Sequence, residues 1–213
     1  MSDKLKRIAE RGKSDYLFFA KEILGFDKLR ENPHQEVCGF LLGAGKRKKL
    51  CLMSRGSFKS SLITISGTMF KLLQNPNLRV MICSESQKNA IKYVREIKNH
   101  YESSQKFRAL YGNWTNEGNT WRDGEFVVAT RTRPVKEPSV MAASLEKQNI
   151  VGLHADLIVL DDCVSKNNTQ SGEQLDKTFN FYRLVQSVLE PTGQVWVVGT
   201  RWHYLDLYST ILE

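Results

Sequence analysis

Three short segments of this 213-residue chain carry residue types, in an order, that suit phosphate chemistry. The first is Ser54-Arg55-Gly56-Ser57-Phe58-Lys59-Ser60-Ser61, set between an apolar run and a helical stretch. A phosphate loop needs that context. Backbone N–H groups and a helix N-terminus face the anion, a lysine reaches the outer phosphates, and the first hydroxyl ligates Mg²⁺. Lys59 and Ser60 fit the last two roles. The strict pattern Gly-x-x-x-x-Gly-Lys-Ser/Thr is not met, because it would place glycine at Met53 and Phe58, and the loop's glycine is Gly56. Taken alone, the segment also reads as a glycine turn before a helix that happens to begin with Lys and Ser.

The second segment is Leu157-Ile158-Val159-Leu160-Asp161-Asp162. A buried strand that delivers an aspartate to a sheet edge can hold Mg²⁺, and the next acid can polarise an attacking water. Asp161 is the expected metal ligand with Ser60, and Asp162 the expected base. Adjacent carboxylates repel unless a cation or hydrogen bonds compensate; a turn or helix cap is the plainer reading. The third segment follows Val195-Trp196-Val197-Val198 and reads Gly199-Thr200-Arg201. There a threonine can sense the γ-phosphate and a glycine lets backbone approach closely, or the chain simply turns into a helix with Trp202 in the core. Three such segments on one sheet edge point to hydrolysis of ATP with Mg²⁺.

Positioning them requires strands that end together. Short apolar runs at 50–53, 79–83, 126–129, 157–160 and 195–198 predict strands. Helical spacing predicts helices over 3–24, 35–42, 59–73, 86–101 and 175–189, with Gly25 and Asn75-Pro76-Asn77 as breaks. Residues 103–150 are less regular, 165–172 is a polar loop, and Pro191 to Gly193 turns the chain. Alternating strands and helices, with strands apolar throughout, predict an α/β sandwich with a mainly parallel sheet covered on both faces. Ligands in such sheets sit beyond the carboxyl ends of the strands, which is where all three segments fall.

Composition agrees: 41% hydrophobic and 25% charged residues exclude disorder and fibrous classes. No apolar run approaches the roughly 18 residues of a membrane helix, and the charged N-terminus lacks the apolar core of a secretory signal. A formal charge of +8 favours an anionic partner such as nucleic acid. Lys46-Arg47-Lys48-Lys49 is either a DNA-phosphate contact or a solvated turn. Cys38, Cys51, Cys83 and Cys163 form no metal-binding spacing and read as buried structural thiols in a reducing compartment.

Across nearly its whole length the chain resembles the ATPase domain of the large terminase subunit of tailed bacteriophages. The resemblance rests on Ser54–Ser61, on Gly152–Asp162, on Pro138–Ala143, and above all on Gly199-Thr200-Arg201-Trp202-His203 followed by Asp206-Leu207. It implies a P-loop NTPase fold of the RecA/ASCE type, with a helical region at 1–45, a phosphate-loop core at 46–213, and the family's C-terminal nuclease outside this chain, so that no DNA cleavage is expected. It implies a motor that threads double-stranded DNA into a procapsid. The implied setting is a ring-shaped homo-oligomer on the portal protein with the small terminase subunit, in the cytoplasm of the infected bacterium. Arg55 matches the loop arginine that contacts the γ-phosphate, Gln35 the upstream glutamine that reads adenine, and Gly199, Thr200 and Arg201 the coupling segment. Phe58 departs from a position that is often glycine, and Asp162 stands where relatives place the catalytic glutamate. The arginine that the family donates in trans has no clear match; Arg131 and Arg133 are candidates by location. A helicase-like DNA translocase shares the same loops, and a basic nucleic-acid-binding module without hydrolysis is the non-enzymatic alternative.

Overall fold

The computed structural model describes residues 2–118, 120–146, 150–202 and 206–212. The chain opens with helix α1 (Asp3–Ser14), whose Ser2 cap accepts from the Leu5 N–H. Asp3 in its first turn and Arg11 and Lys13 in its last complement the helix dipole. The helix expected over 3–24 is two pieces. Asp15 closes α1, and its carboxylate accepts from Phe18 N at 2.9 Å to cap α2 (Tyr16–Phe18), which runs on as a π-helical turn through Phe19–Ile23. A short aspartate side chain competes for backbone N–H groups, so it settles at a cap rather than inside one long helix. Helix α3 (Glu31–Leu42) follows, regular only beyond Asn32.

The core comprises β1 (Lys48–Leu52), a π-helical segment Ser60–Ser66 that runs into α4 (Gly67–Gln74), β2 (Val80–Ser84), α5 (Gln87–Ser103) and α6 (Gln105–Tyr111). It continues through β3 (Glu125–Phe126), β4 (Val140–Ser144), β5 (Ala155–Asp161), α7 (Gly172–Ser187), β6 (Leu189–Gly199) and α8 (Leu207–Leu212). The six strands lie in the order β1-β6-β5-β2-β4-β3. All neighbours are parallel except the β3–β4 pair at the edge.

Alternate residues of each central strand enter two separate cores. Val80, Ile82, Leu157, Val159, Trp196 and Val198 face the layer built from α1 to α6. Met81, Cys83, Ile158, Leu160, Val195 and Val197 face α7 and α8. This is the covered parallel sheet that the continuous apolar runs predict. Helix α4 sits close to the sheet because Gly67 has no side chain: a Cβ there would lie 2.5 Å from Tyr16 Oη and 2.8 Å from the Trp196 ring. Strand β4 and helix α6 were not expected from the sequence, and the strand expected at 126–129 is paired only as Glu125–Phe126. Pro191 to Gly193 does not end a helix-to-strand turn; it bulges inside β6, where pairing with β5 skips between Ala155 and Leu157.

The basic run before β1 is a structural pin. Lys49 is buried, and its Nζ donates to the Leu41 and Gly43 carbonyls at 2.6 and 2.7 Å, capping the C-terminus of α3. Burial lowers its pKa. Arg47 donates to the Gly193 and Glu190 carbonyls, and Lys48 to the Gln186 side chain. All four cysteines are free and buried. Among the described residues no helix is long and apolar enough to cross a membrane.

Candidate active site

The carboxyl ends of β1, β6 and β5 are flush. Leu52 pairs with Gly199, and Asp161 with Val198. The three segments singled out in the sequence therefore leave the sheet side by side, with β6 lying between the strands that carry the lysine loop and the acidic pair.

The loop after β1 turns at Ser54–Ser57, where the Ser57 hydroxyl donates to the Ser54 carbonyl at 2.7 Å. Gly56 has φ 78°, a left-handed value that glycine supplies without strain. Phe58 has φ 56°. The backbone at the position where the strict pattern demands glycine thus takes the conformation glycine favours, and Phe58 bears it with its ring partly exposed near Lys28. A non-glycine residue in this region costs about 1–2 kcal/mol.

Lys59, 7% exposed, heads the helix, and its Nζ lies 3.4 Å from Asp162 Oδ2. Asp162 also has a left-handed φ, 47°, which aspartate tolerates better than most side chains. Its backbone N–H donates to Val198 O at 2.9 Å, which anchors it to β6. Asp161 is fully buried at the end of β5. Its Oδ2 accepts from Thr64 Oγ1 at 2.5 Å, and its carbonyl accepts from Ser84 Oγ at 2.9 Å. Burial pushes its carboxyl up to about 6; the hydroxyls of Thr64 and Ser60 pull it down, the Asp162 charge raises it and Lys59 lowers it. Asp161 Oδ1 and Asp162 Oδ1 are buried without a hydrogen-bond partner. Buried acceptors left unpaired are costly, by about 1–3 kcal/mol each.

Sequence reasoning missed four residues here. Thr64 lies one helical turn beyond Ser60, so the i, i+4 spacing on a helix carried the signal. Ser84 ends β2, level with Asp161. Tyr93 on α5 contacts Ser60, and burial together with the Asp161 and Asp162 charges raises its pKa. His34 on α3 is buried; its Nδ1 accepts from the Arg30 N–H at 2.9 Å, which leaves Nε2 to donate to the Ser57 carbonyl at 2.9 Å. It thereby braces the Ser54–Ser57 turn from outside.

The remaining sequence candidates are placed as follows. Gln35 is exposed and lines a cleft with Arg11, Asp15, Phe18 and Glu31 that no residue of Ser54–Ser61 enters. The cleft that does touch the loop is lined by Gly25–Leu29, Phe58 and Ser61. The Arg55 guanidinium stacks 4.6 Å over Trp202. The Thr200 hydroxyl donates to the Met53 carbonyl at 3.0 Å, tying the third segment to the residue before the loop. Gly199 makes room for Tyr208, whose Oη would lie 1.9 Å from a Cβ there, so its open space is already taken by the ring. Arg201 donates to Ser209 Oγ at 2.7 Å. His203 lies outside the described residues. Arg131 and Arg133 lie at the opposite, amino end of the parallel strands, where the backbone of Arg133 donates to Asn77 just ahead of β2.

No family model and no curated protein matches the chain. Among solved structures, a variant of S. cerevisiae Dbp5 bound to Nup159, a Gle1 variant, IP6 and ADP superposes with a TM-score of 0.50 at 14% identity. The match covers 88% of this chain and 46% of that one, so the chain spans a little under half the length of that structure. The fold is the RecA-like P-loop sandwich. The expected Mg²⁺ site needs one carboxylate, one hydroxyl and substrate oxygens rather than a cluster of acids, and no group of three or more His, Cys, Asp or Glu converges on a cation position among the described residues.

Proposed function

We propose that this chain is an ATP-hydrolysing motor domain of the viral terminase type, which drives double-stranded DNA into a procapsid. The observation that carries the hydrolytic part is the convergence of Lys59, Ser60, Asp161 and Asp162 at one sheet edge, with the Lys59–Asp162 pair at 3.4 Å. Lys59 pairs with Asp162. An incoming triphosphate competes for the ammonium, which moves to the β- and γ-phosphate oxygens. Asp162 is then released to accept a proton from water as the water oxygen bonds to the γ-phosphorus and the bond to the β-phosphate oxygen breaks, leaving ADP and phosphate. Mg²⁺, held by Ser60 and Asp161, would neutralise charge on the phosphate oxygens; the unpaired Asp161 Oδ1 fits that role.

Two contacts join the phosphate loop to the third segment: the Arg55–Trp202 stack and the Thr200–Met53 hydrogen bond. When Arg55 swings from Trp202 to the γ-phosphate, the stack opens, and the segment after β6 is released in step with nucleotide occupancy. The likeness of segment 199–207 to terminases supports packaging as the work performed, with the portal protein, the small terminase subunit and a ring of copies as partners. Gln35 as adenine reader, and Arg131 or Arg133 as donors to a neighbour's pocket, belong to the same proposal. The fold match to Dbp5 favours a second reading, a helicase-like translocase.

The test is ATP turnover by the pure chain and by Asp162→Asn. The variant is expected to bind ATP as the parent does and to turn over about 10²–10⁴-fold more slowly. Turnover equal to the parent's would overturn the assignment. ATP-dependent filling of portal-bearing procapsids separates the motor from the helicase-like reading, which predicts strand separation and no filling.

A further inference from the structure

Among the described residues, six of the eleven buried side-chain atoms without hydrogen-bond partners lie in two places, the acidic pair described above and the loop from Thr130 to Glu137 at the far end of the sheet. In that loop the Arg131 Nη1 donates to the Glu137 carbonyl at 2.7 Å, while its Nε and Nη2 are buried and unpaired. Burial and the Arg79 charge lower the arginine's pKa, against the opposing pull of Asp156 and Glu137. A guanidinium does not lose its proton in a protein, so the two N–H groups need an acceptor.

Arg131 lines an open cleft of about 380 Å³ beside edge strand β3, although its Nε and Nη2 are closed off from solvent. Arg131, Arg133 and Lys136 line it, against the single carboxylate of Glu125, which already pairs with Arg122 at 3.4 Å. Arg133 is exposed and has no side-chain partner among the described residues. Lys136 is engaged, donating to Gly152 O at 3.1 Å. Glu137 is held between Arg79 and Lys136, each at 3.8 Å, and Asp156 is held by Arg79. The loop is held before any ligand arrives. Asn77 Oδ1 accepts from the backbone of Thr132 and Arg133 at 3.0 and 2.8 Å, and Asn77 Nδ2 donates to Thr132 Oγ1 at 3.1 Å. Pro134 and Pro138 stiffen it further.

We infer that this cleft binds a phosphate group, donated by the backbone of a nucleic-acid strand lying along the β3 edge. Arg133 supplies the exposed cation, and the half-buried Arg131 adds fixed positive charge to the cleft wall. The chain's excess of positive charge supports a polyanion as the source. The site is on the opposite end of the sheet from Lys59 and Asp162, so the inference stands or falls independently of the hydrolytic reading.

The test is the affinity of the 213-residue chain for a labelled 20-base-pair duplex without nucleotide across a salt series, beside a titration with inorganic phosphate. Arg133→Ala is on an exposed side chain and keeps the fold; Arg131→Gln keeps a donor for the Glu137 carbonyl. Each variant is expected to weaken duplex binding about tenfold and to reduce the salt slope by about 1. If the variants instead lose only inorganic phosphate, the site stands as a phosphate site and its source is the free anion. If neither ligand is weakened in either variant, the cleft does not bind phosphate and the inference fails. An arginine serving solely a neighbour's γ-phosphate gives that negative result, because no nucleotide is present.

Discussion

The two ends of the parallel sheet use the same residue types to opposite effect. At the amino end Arg79, 5% exposed, is saturated by carboxylates: Asp156 in a two-pronged contact at 3.0 Å, Glu190 at 2.6 Å and Glu137 at 3.8 Å. Its pKa is raised, first by the Asp156 hydrogen bond. At the carboxyl end Lys59 meets one carboxylate, both aspartates keep an unpaired oxygen, and two non-glycine residues hold left-handed backbone. The network around Arg79 fixes strands in register, even though Glu137 Oε1 within it lacks a hydrogen bond. An unsatisfied one holds free energy in reserve for a ligand that completes it. The same chain therefore separates what keeps β2, β5 and β6 together from what acts at their other ends.

The sharpest way to break this contrast is to remove each cation. Lys59→Ala should cost about 10²–10³ in turnover, as when a preorganised charge at a reacting centre is lost, with a urea midpoint near the parent's. Arg79→Ala should do the reverse. It strands buried carboxylates, so unfolding in urea should show a loss of about 3–5 kcal/mol. If Lys59→Ala unfolds the chain and Arg79→Ala leaves its stability unchanged, the division between the two ends is wrong.

Asp161→Asn sharpens it further. Burial pushes the carboxyl up to about 6 in the fold, above the ordinary aspartate range, so the folded protein holds this proton more tightly than the unfolded chain. The native carboxyl is thus favoured at low pH, and that contribution is lost as pH rises through about 6. At neutral pH the amide should therefore raise stability by roughly 1–3 kcal/mol while abolishing hydrolysis. The advantage should shrink as pH falls from 7 to 4, as read by urea melts at each pH. An amide variant less stable than the parent at pH 7 would show that the charged form is well solvated after all.

The smallest expected effect concerns Phe58. Phe58→Gly relieves the left-handed conformation and gives back chain entropy in the unfolded state, so stability should stay within about 1 kcal/mol of the parent. Phe58→Val, β-branched and unable to take positive φ cheaply, should lose about 1–2 kcal/mol. Equal melts for the two variants would mean that the loop backbone is not held at φ 56°.

How far the sequence alone reaches can be seen at Asp161. Four apolar residues without alternation placed β5 in a doubly covered sheet, and the acid after them at its edge, because strand period and burial are local properties of composition. Lys59 and Ser60 were legible for the same reason, as the first residues of a helix after a strand. The N-terminal helix read too long, because a cap at Asp15 competes with helix extension through one hydrogen bond that periodicity does not register. Strand β4 was missed, because Val140–Ser144 is short and its pairing with β2 lies far away in sequence. Tertiary structure alone decided that Lys59 faces Asp162, that Thr64 and Ser84 hold Asp161, that His34 braces the phosphate loop, and that Thr200 and Arg55 spend their side chains on Met53 and Trp202. Each of those contacts joins residues brought together only by the order and register of six strands. Period, propensity and charge along a chain act over a few residues, and they determine the elements and what their ends carry. Which end meets which is set by packing two cores against one sheet, and that is where this chain's unsatisfied carboxylates acquire their lysine.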